Sequence, residues 1–337
     1  MLIFPTDDKD IRESFFVEPS EITNDGIMQE YLLGEELKEL YGHFIGKYYQ
    51  PSELRVITGV DNRTIVSALA VLASLLRPVG RQIWNENLPW QPIAIHTNEI
   101  LDQVAFQFYN FSNEFCSPPS SFGVFDSCPN LREKLKQSEG YTTLLQRDAN
   151  FKQWLSNMTG LTLSDLFFYQ TVLDELIIRH NLKGLFLPEW ANGDHYSEIF
   201  SKKKLRLHVD FIKLFIDDAG ALLLDLFSSS IDDIIHNRTS NKSFLYSGHD
   251  SNLITFGMYL NLIQFTELPP YASYMAIEHH LAEGEDIIKG AKDVIIILLI
   301  ILNVVLMFIC SAFKRRINMV TDPEQSHLLR ATSRRQK

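Results

Sequence analysis

Only three cysteines occur in 337 residues, and no Cys/His cluster has the spacing of a zinc site. A disulfide framework is thereby excluded, and a metal site is not expected. The chain opens on MLIFPTDDKD, which lacks both the basic leader and the apolar stretch of a secretory signal. There is no internal repeat and no low-complexity segment. Positive charge is also short, with 31 Lys and Arg against 42 Asp and Glu and a formal net charge of −11. The deficit is uneven: residues 314–337 carry +5, which leaves −16 on residues 1–293. An acidic body repels polyphosphate, so nucleic acid is not an expected partner.

What the chain does have is apolar residues, 45% of the total, enough to fill a large core and to exclude disorder. They dominate one uncharged run of twenty residues, Val294–Phe313, with Asn303 as its strongly polar member. As a helix rising about 1.5 Å per residue it is roughly 30 Å long, the thickness of a bilayer's hydrocarbon core. A buried core helix is rarely apolar on every face, so the run reads as a transmembrane helix. Lys314-Arg315-Arg316 follow directly and belong on the cytoplasmic side, with 314–337 as a basic tail. The body is then lumenal or extracellular, as in a type I protein of the lysosome, endosome or cell surface. That topology needs a leader, and its absence suggests an incomplete start; a tail anchor would instead leave the body in the cytosol. Five sequons, at Asn62, Asn110, Asn157, Asn237 and Asn241, favour the lumen and a glycoprotein. Cys116 and Cys128 could bridge in such a compartment, whereas Cys310 lies in the membrane run.

Two stretches share a strand–turn–helix pattern. Leu54–Ile57 is a β-prone run, followed by the polar turn Thr58–Arg63 and the helical Thr64–Leu76, which Pro78 ends. Ser243–Tyr246 leads likewise into Ser247-Gly248-His249-Asp250-Ser251 and the apolar-periodic Leu253–Ile263. Strands alternating with helices predict an α/β fold, a largely parallel sheet covered on both faces. Residues 97–240 read as mainly helical, with apolar stripes over Leu161–Ile178 and Lys204–Phe227. The expected organisation is an α/β core from 1–96 and 241–290, a helical cap from 97–240, and the membrane helix 294–313.

In such sheets ligands bind beyond the carboxyl ends of the strands, where TGVDNR and SGHDS lie. Arg63, on the first turn of a helix, could hold a phosphate or carboxylate with its guanidinium fork and the nearby N–H groups. His249 could supply a cation and Asp250 a proton for a leaving group. Together they suit phosphoryl transfer, which depends on positioning and charge stabilisation. Taken singly, an Arg after a turn is usually a surface charge and a His-Asp pair usually a cap.

The ordered segments change that balance. Phe4–Asp7 (FPTD), Ile22–Tyr41, Thr58–Ala68 (TGVDNRTIVSA) and Gln82–Thr97 (QIWNENLPWQPIAIHT) resemble successive segments of the histidine acid phosphatase family. Leu187–Ala191 (LPEWA), Tyr246–Ser251 (YSGHDS) and Leu268–Ser273 (LPPYAS) continue the series, over about residues 4–275. The resemblance, closest to the branch with the prostatic and lysosomal acid phosphatases, implies a three-layer, phosphoglycerate-mutase-like α/β fold with a helical cap. It implies that Arg63 and His249 bind phosphate and that Asp250 protonates the leaving alcohol of a small phosphomonoester. It implies no metal or cofactor, and a homodimer is possible.

The family's R-H-G-x-R-x-P signature, whose His is phosphorylated and whose Arg residues hold phosphate, does not occur in the 337 residues. Arg179-His180-Asn181 resembles it, but follows a helical run and lacks the Gly-x-Arg-x-Pro continuation. Without the nucleophile the phosphohistidine route is closed, and without the first, central strand that would deliver it the core exposes backbone groups, so the chain is expected to be inactive and poorly stable. Two readings follow: a membrane-anchored acid phosphatase whose given sequence lacks its start, or a pseudophosphatase that binds phosphate esters. Residues 274–292 lack the family's usual Cys-bearing continuation and read as a connection running straight to the membrane helix. Asn62 stands where the family has an acidic residue, and a glycan on it would block the pocket, so it is expected to be unmodified.

Overall fold

The computed structural model describes residues 2–14, 18, 21–103, 136–164, 166–182, 185–214, 216–236, 238–261, 268–282, 285–290, 296–300, 318–322 and 325–330. In chain order the elements are α1 (Lys9–Glu13), α2 (Asn24–Ile45), β1 (Leu54–Thr58), α3 (Asn62–Leu75), β2 (Ile95–Thr97) and α4 (Ile100–Gln103). Then come α5 (Glu139–Arg147), α6 (Ala149–Thr159), α7 (Leu166–Asn181), α8 (Asp194–Ile212), α9 (Ile216–Ile235), β3 (Ser243–Ser247) and α10 (Asp250–Tyr259). Strands β4 (Met275–Ala282), β5 (Glu285–Gly290), β6 (Ile296–Ile300), β7 (Asn318–Asp322) and β8 (Gln325–Arg330) follow. They fall into two compact units. One comprises Met1–Asp25, Phe106–Ala219 and Gln264–Leu268, the other Gly26–Ala105, Gly220–Ile263 and Pro269–Lys337.

The second unit is α/β. Its sheet runs β2-β1-β3-β6-β4-β5-β8-β7. β1 lies between β2 and β3 and is parallel to both, with Val56 opposite Ile95 and Leu245. Four of the five residues of each of β1 and β3 are buried, the near-continuous apolar run of a strand covered on both faces. Leu54, Val56 and Leu245 pack with Leu33 and Leu37 of α2 and Ala68, Val71, Leu72 and Leu75 of α3. Burying each large aliphatic side chain contributes about 1.5–3 kcal/mol, so this cluster dominates the unit's stability. Phe227 of α9 meets Tyr246 and Phe256 edge-on, with ring centroids 4.8 Å away in each case, and Ser230 Oγ lies 2.6 Å from Tyr246 Oη.

The first unit is helical. Leu155, Leu166, Val172, Leu173, Leu176, Phe200 and Leu207 are fully buried in it. Gly160 ends α6 in the left-handed region at φ 73°, where its N–H donates to the Ser156 carbonyl. The stripe over Lys204–Phe227 is divided between α8 and α9, with Lys213 capping the first.

Three expectations need correction. The sheet is mixed: β2, β1 and β3 are parallel, but β3–β6, β4–β5, β5–β8 and β7–β8 are antiparallel. Where a connection was expected, β4 and β5 pair antiparallel, with Ala282 opposite Glu285. The β-prone runs on either side of the AEGE sequence carried that signal, obscured by its acidity. The run Val294–Phe313 was expected to be one helix, yet Ile296–Ile300 is a strand, antiparallel to β3 and parallel to β4. An Ile-rich apolar run suits a central strand as well as a membrane helix, and hydropathy alone does not separate the two. Among the described residues no helix is long and apolar enough to cross a membrane. The rest of the run, Cys116, Cys128, Cys310, Asn303 and the sequons at Asn110 and Asn237 lie outside the described residues. Asn241 is buried and its Nδ2 donates to the Pro51 carbonyl at 2.9 Å, which leaves no room for a glycan there.

Candidate functional site

Three parallel strands end together at one edge of the α/β unit. The Asn98 N–H, one residue past β2, donates to the Thr58 carbonyl at 2.7 Å. The Gly59 N–H donates to the Ser247 carbonyl at 3.0 Å, which ties the ends of β1 and β3. Ser247 Oγ then reaches the Thr64 carbonyl in the first turn of α3 at 2.8 Å. The loops beyond these ends therefore have a fixed spacing, and the helices α3 and α10 start from them.

Arg63 sits in the first turn of α3, with its side chain 41% exposed. Its guanidinium forms an ion pair with Asp61 Oδ2. His249 precedes α10, and its backbone N–H donates to Asn252 Oδ1 at 2.6 Å. Its Nε2 lies 3.0 Å from Asp102 Oδ1 and 3.8 Å from Asp61 Oδ2. Arg63 and His249, 186 positions apart in the sequence, thus meet around one carboxylate. Asp250 opens α10, where negative charge favours the helix's positive end, and its Oδ1 accepts from the Ser251 N–H at 2.8 Å.

Asp61 and Asp102 were not singled out from the sequence. Asp61 lies inside the TGVDNR turn, so a signal existed, but a helix-capping Asp is the ordinary reading of that position. Asp102 reaches the site only because β2 pairs with β1, which no local pattern announces. Its Oδ2 accepts from the Val60 N–H, and a Cβ on Gly59 would fall 1.9 Å from its Oδ1. The absence of a side chain at residue 59 is what admits Asp102.

The ligand atoms of Asp61, Asp102 and His249 lie within 4.8 Å of one another, a grouping that could hold a cation. Arg63 already places a positive charge on Asp61, however, and disfavours a second one there. Arg179, of the R-H-N run, is buried in the middle of the ion pairs with Asp7 and Glu175, and serves the helical unit.

The family model of the histidine phosphatase superfamily (branch 2) matches residues 15–167. Bovine prostatic acid phosphatase is 27% identical over 293 residues, 84% of this chain and 70% of that protein. Lysosomal acid phosphatase of Xenopus laevis is 31% identical over 267 residues, 75% of this chain and 56% of that protein. Residues 15–167 are thus similar to branch 2 of the histidine phosphatase superfamily. The expected resemblance is therefore the one found. A phytase from Hafnia alvei is similar in fold, with a TM-score of 0.55 over 86% of this chain and 77% of that one, at 14% identity. The matched residues 15–167 contain α2, β1, Asp61, Arg63 and Asp102, whereas His249 and Asp250 lie beyond them.

Proposed function

We propose that this protein takes small phosphate monoesters in the manner of an acid phosphatase. Arg63 and His249 hold the phosphoryl oxygens, and Asp250 takes the position from which a leaving alcohol would be protonated. The observation that carries the reading is the convergence of Arg63 and His249 on the Asp61 carboxylate, since two side chains that face one anion can face another. The likeness to prostatic and lysosomal acid phosphatases supports the substrate class. An aspartic acid has an ordinary pKa near ~3.9, so a proton-donating Asp250 suits acid conditions.

Hydrolysis through a phosphohistidine needs an imidazole in line with the scissile bond. The 337 residues contain no R-H-G-x-R-x-P run. The proposed behaviour of this chain is ester binding without turnover, as a pseudophosphatase on an acid phosphatase scaffold. Calorimetric titration with inorganic phosphate, beside a p-nitrophenyl phosphate assay at acid pH, tests both halves. Binding that vanishes in Arg63→Ala, with no release of nitrophenol, is expected. Release of nitrophenol by the unaltered chain would defeat the proposed lack of turnover, and phosphate binding undiminished in Arg63→Ala and His249→Gln would defeat the site.

We also propose that residues 97–240 form the helical cap of this scaffold and that Val294–Phe313 attaches the body to a membrane. The second reading rests on its twenty uncharged residues and the basic cluster after them. It requires Ile296–Ile300 to exchange strand pairing for a helix. Recovery of the expressed protein in the soluble fraction after alkaline carbonate extraction would count against it.

A further inference from the structure

We infer that Asp61 is a resident counter-anion that occupies the place an incoming phosphoryl group must take, and that Asp102 is the positioning residue for His249. The inference rests on the phosphate-binding reading above and deepens it.

Asp61 is the N-cap of α3 by its backbone, with the Thr64 and Ile65 N–H groups on its carbonyl, yet its carboxylate makes no capping bond. An Asp in that position ordinarily bonds the second or third N–H of the helix. Here the carboxylate turns to Arg63 instead, with Oδ2 3.8 Å from His249 Nε2. A carboxylate and a phosphoryl group are both acceptors for a guanidinium fork, so they compete for Arg63.

The two aspartates differ in how they are held. Asp102 is fixed through both oxygens, one on His249 and one on the Val60 N–H, and Gly59 closes against it. Asp61 is held by side chains that must themselves reach the ligand, and Arg63 is 41% exposed and free to carry it outward. Asp61 is thus the displaceable anion and Asp102 the fixed one. With Nε2 of His249 on Asp102, the ring plane is set before any ligand arrives. An oxyanion strong enough to displace a carboxylate from a guanidinium is selected, and chloride or acetate is not.

The test titrates inorganic phosphate, at fixed ionic strength, into the full chain and into Asp61→Asn, Asp102→Asn and Arg63→Ala. Asn caps helices as well as Asp does, so Asp61→Asn should retain α3, and Asp61→Ser serves if it does not. Removing a part-exposed competing ion pair should tighten phosphate by about three- to tenfold. Asp102→Asn should weaken phosphate binding and shift the ¹⁵N ring resonances of His249, identified by their loss in His249→Gln. Equal or weaker phosphate binding by both Asp61 variants overturns the counter-anion. Unmoved His249 resonances with unchanged phosphate affinity in Asp102→Asn overturn the positioning role. Binding of Zn²⁺ or Mn²⁺ by the unaltered chain, lost in Asp61→Asn, overturns the inference in favour of a cation site. If neither the unaltered chain nor the Asp61 variants bind phosphate, the phosphate reading fails as well. If the unaltered chain binds through Arg63 and the Asp61 variants match it, only this inference fails.

Discussion

Asp7 and Arg179, 172 positions apart, face each other through two parallel hydrogen bonds, Oδ1 to Nη1 at 2.9 Å and Oδ2 to Nη2 at 2.8 Å. Arg179 also donates from Nε to Glu175 Oε1 at 3.0 Å and from Nη2 to the Leu2 carbonyl at 2.6 Å, and its guanidinium lies over the Phe4 ring. The chain's first described segment is thereby fastened to α7. Both ions are buried, so removing one partner strands the other's charge away from water. Arg179→Ala should therefore cost about 3–5 kcal/mol. Arg179→Lys should recover little, because an ammonium cannot match the planar fork. Urea denaturation of the two variants checks both expectations, and a near-neutral Arg179→Lys would show that charge alone sufficed.

Gly59 offers a test of the site's construction that alters no polar side chain chemically. An added Cβ would lie 1.9 Å from Asp102 Oδ1, with Oδ2 and Cγ also inside 3.0 Å. Asp102 must then leave, and the Val60 N–H and His249 Nε2 lose their acceptor. Gly59→Ala should cost about 1–3 kcal/mol from overpacking and weaken phosphate binding in the same direction as Asp102→Asn. Thermal melting with phosphate titration on the one variant reads both effects. Full phosphate affinity in a destabilised Gly59→Ala would separate the fold's need for Asp102 from the ligand's.

The strand ends of β1 and β3 and the helices after them were legible because each rests on a local pattern, an apolar run closed by a polar turn. Arg63, His249 and Asp250 were legible for the same reason, as residues of those turns. Asp102 was not, because it becomes a neighbour of His249 only through the β1–β2 pairing, and register is a non-local property. The β4–β5 pairing was hidden by composition: AEGE reads as a linker until the alternating residues on either side are paired. Ile296–Ile300 was read as helix because a charge-free run satisfies the hydropathy of a bilayer and of a central strand alike.

Glu30 of α2 carries a pH signature independent of the site. Burial pushes its carboxyl up from 4.5 to about 7, against a smaller opposing effect of the hydrogen bond with Ser67. The folded state therefore holds the proton more tightly than the unfolded chain does. The contribution to stability is full below pH 4.5, the unfolded value, and is lost as pH rises through about 7. Allowing for partial exposure, the loss should be roughly 1–3 kcal/mol. Glu30→Gln should remove this slope, so the variant should gain on the unaltered chain at pH 7.5 and not at pH 4. Parallel melts across that range decide the matter, and equal slopes would place the buried charge elsewhere.

Gly34 sets the distance between α2 and α3. A Cβ at residue 34 would fall 2.1 Å from Ser74 Oγ and 2.2 Å from the Val71 carbonyl oxygen. Ser74 Oγ itself bridges the helices, bonding the Tyr31 carbonyl at 2.5 Å and the Val71 carbonyl at 3.1 Å. Alanine ordinarily favours a helix over glycine by about 1 kcal/mol, so a favourable effect would be expected if α2 stood alone. The contact reverses the sign: the helices must part, loosening the cluster of Leu33, Leu37, Val71 and Leu75. Gly34→Ala should destabilise by about 1–3 kcal/mol. Adding Ser74→Ala should not restore the loss, because the Val71 carbonyl oxygen is backbone and remains in the way. A double variant as stable as the unaltered chain would mean that the hydroxyl, not the helix spacing, was the obstacle.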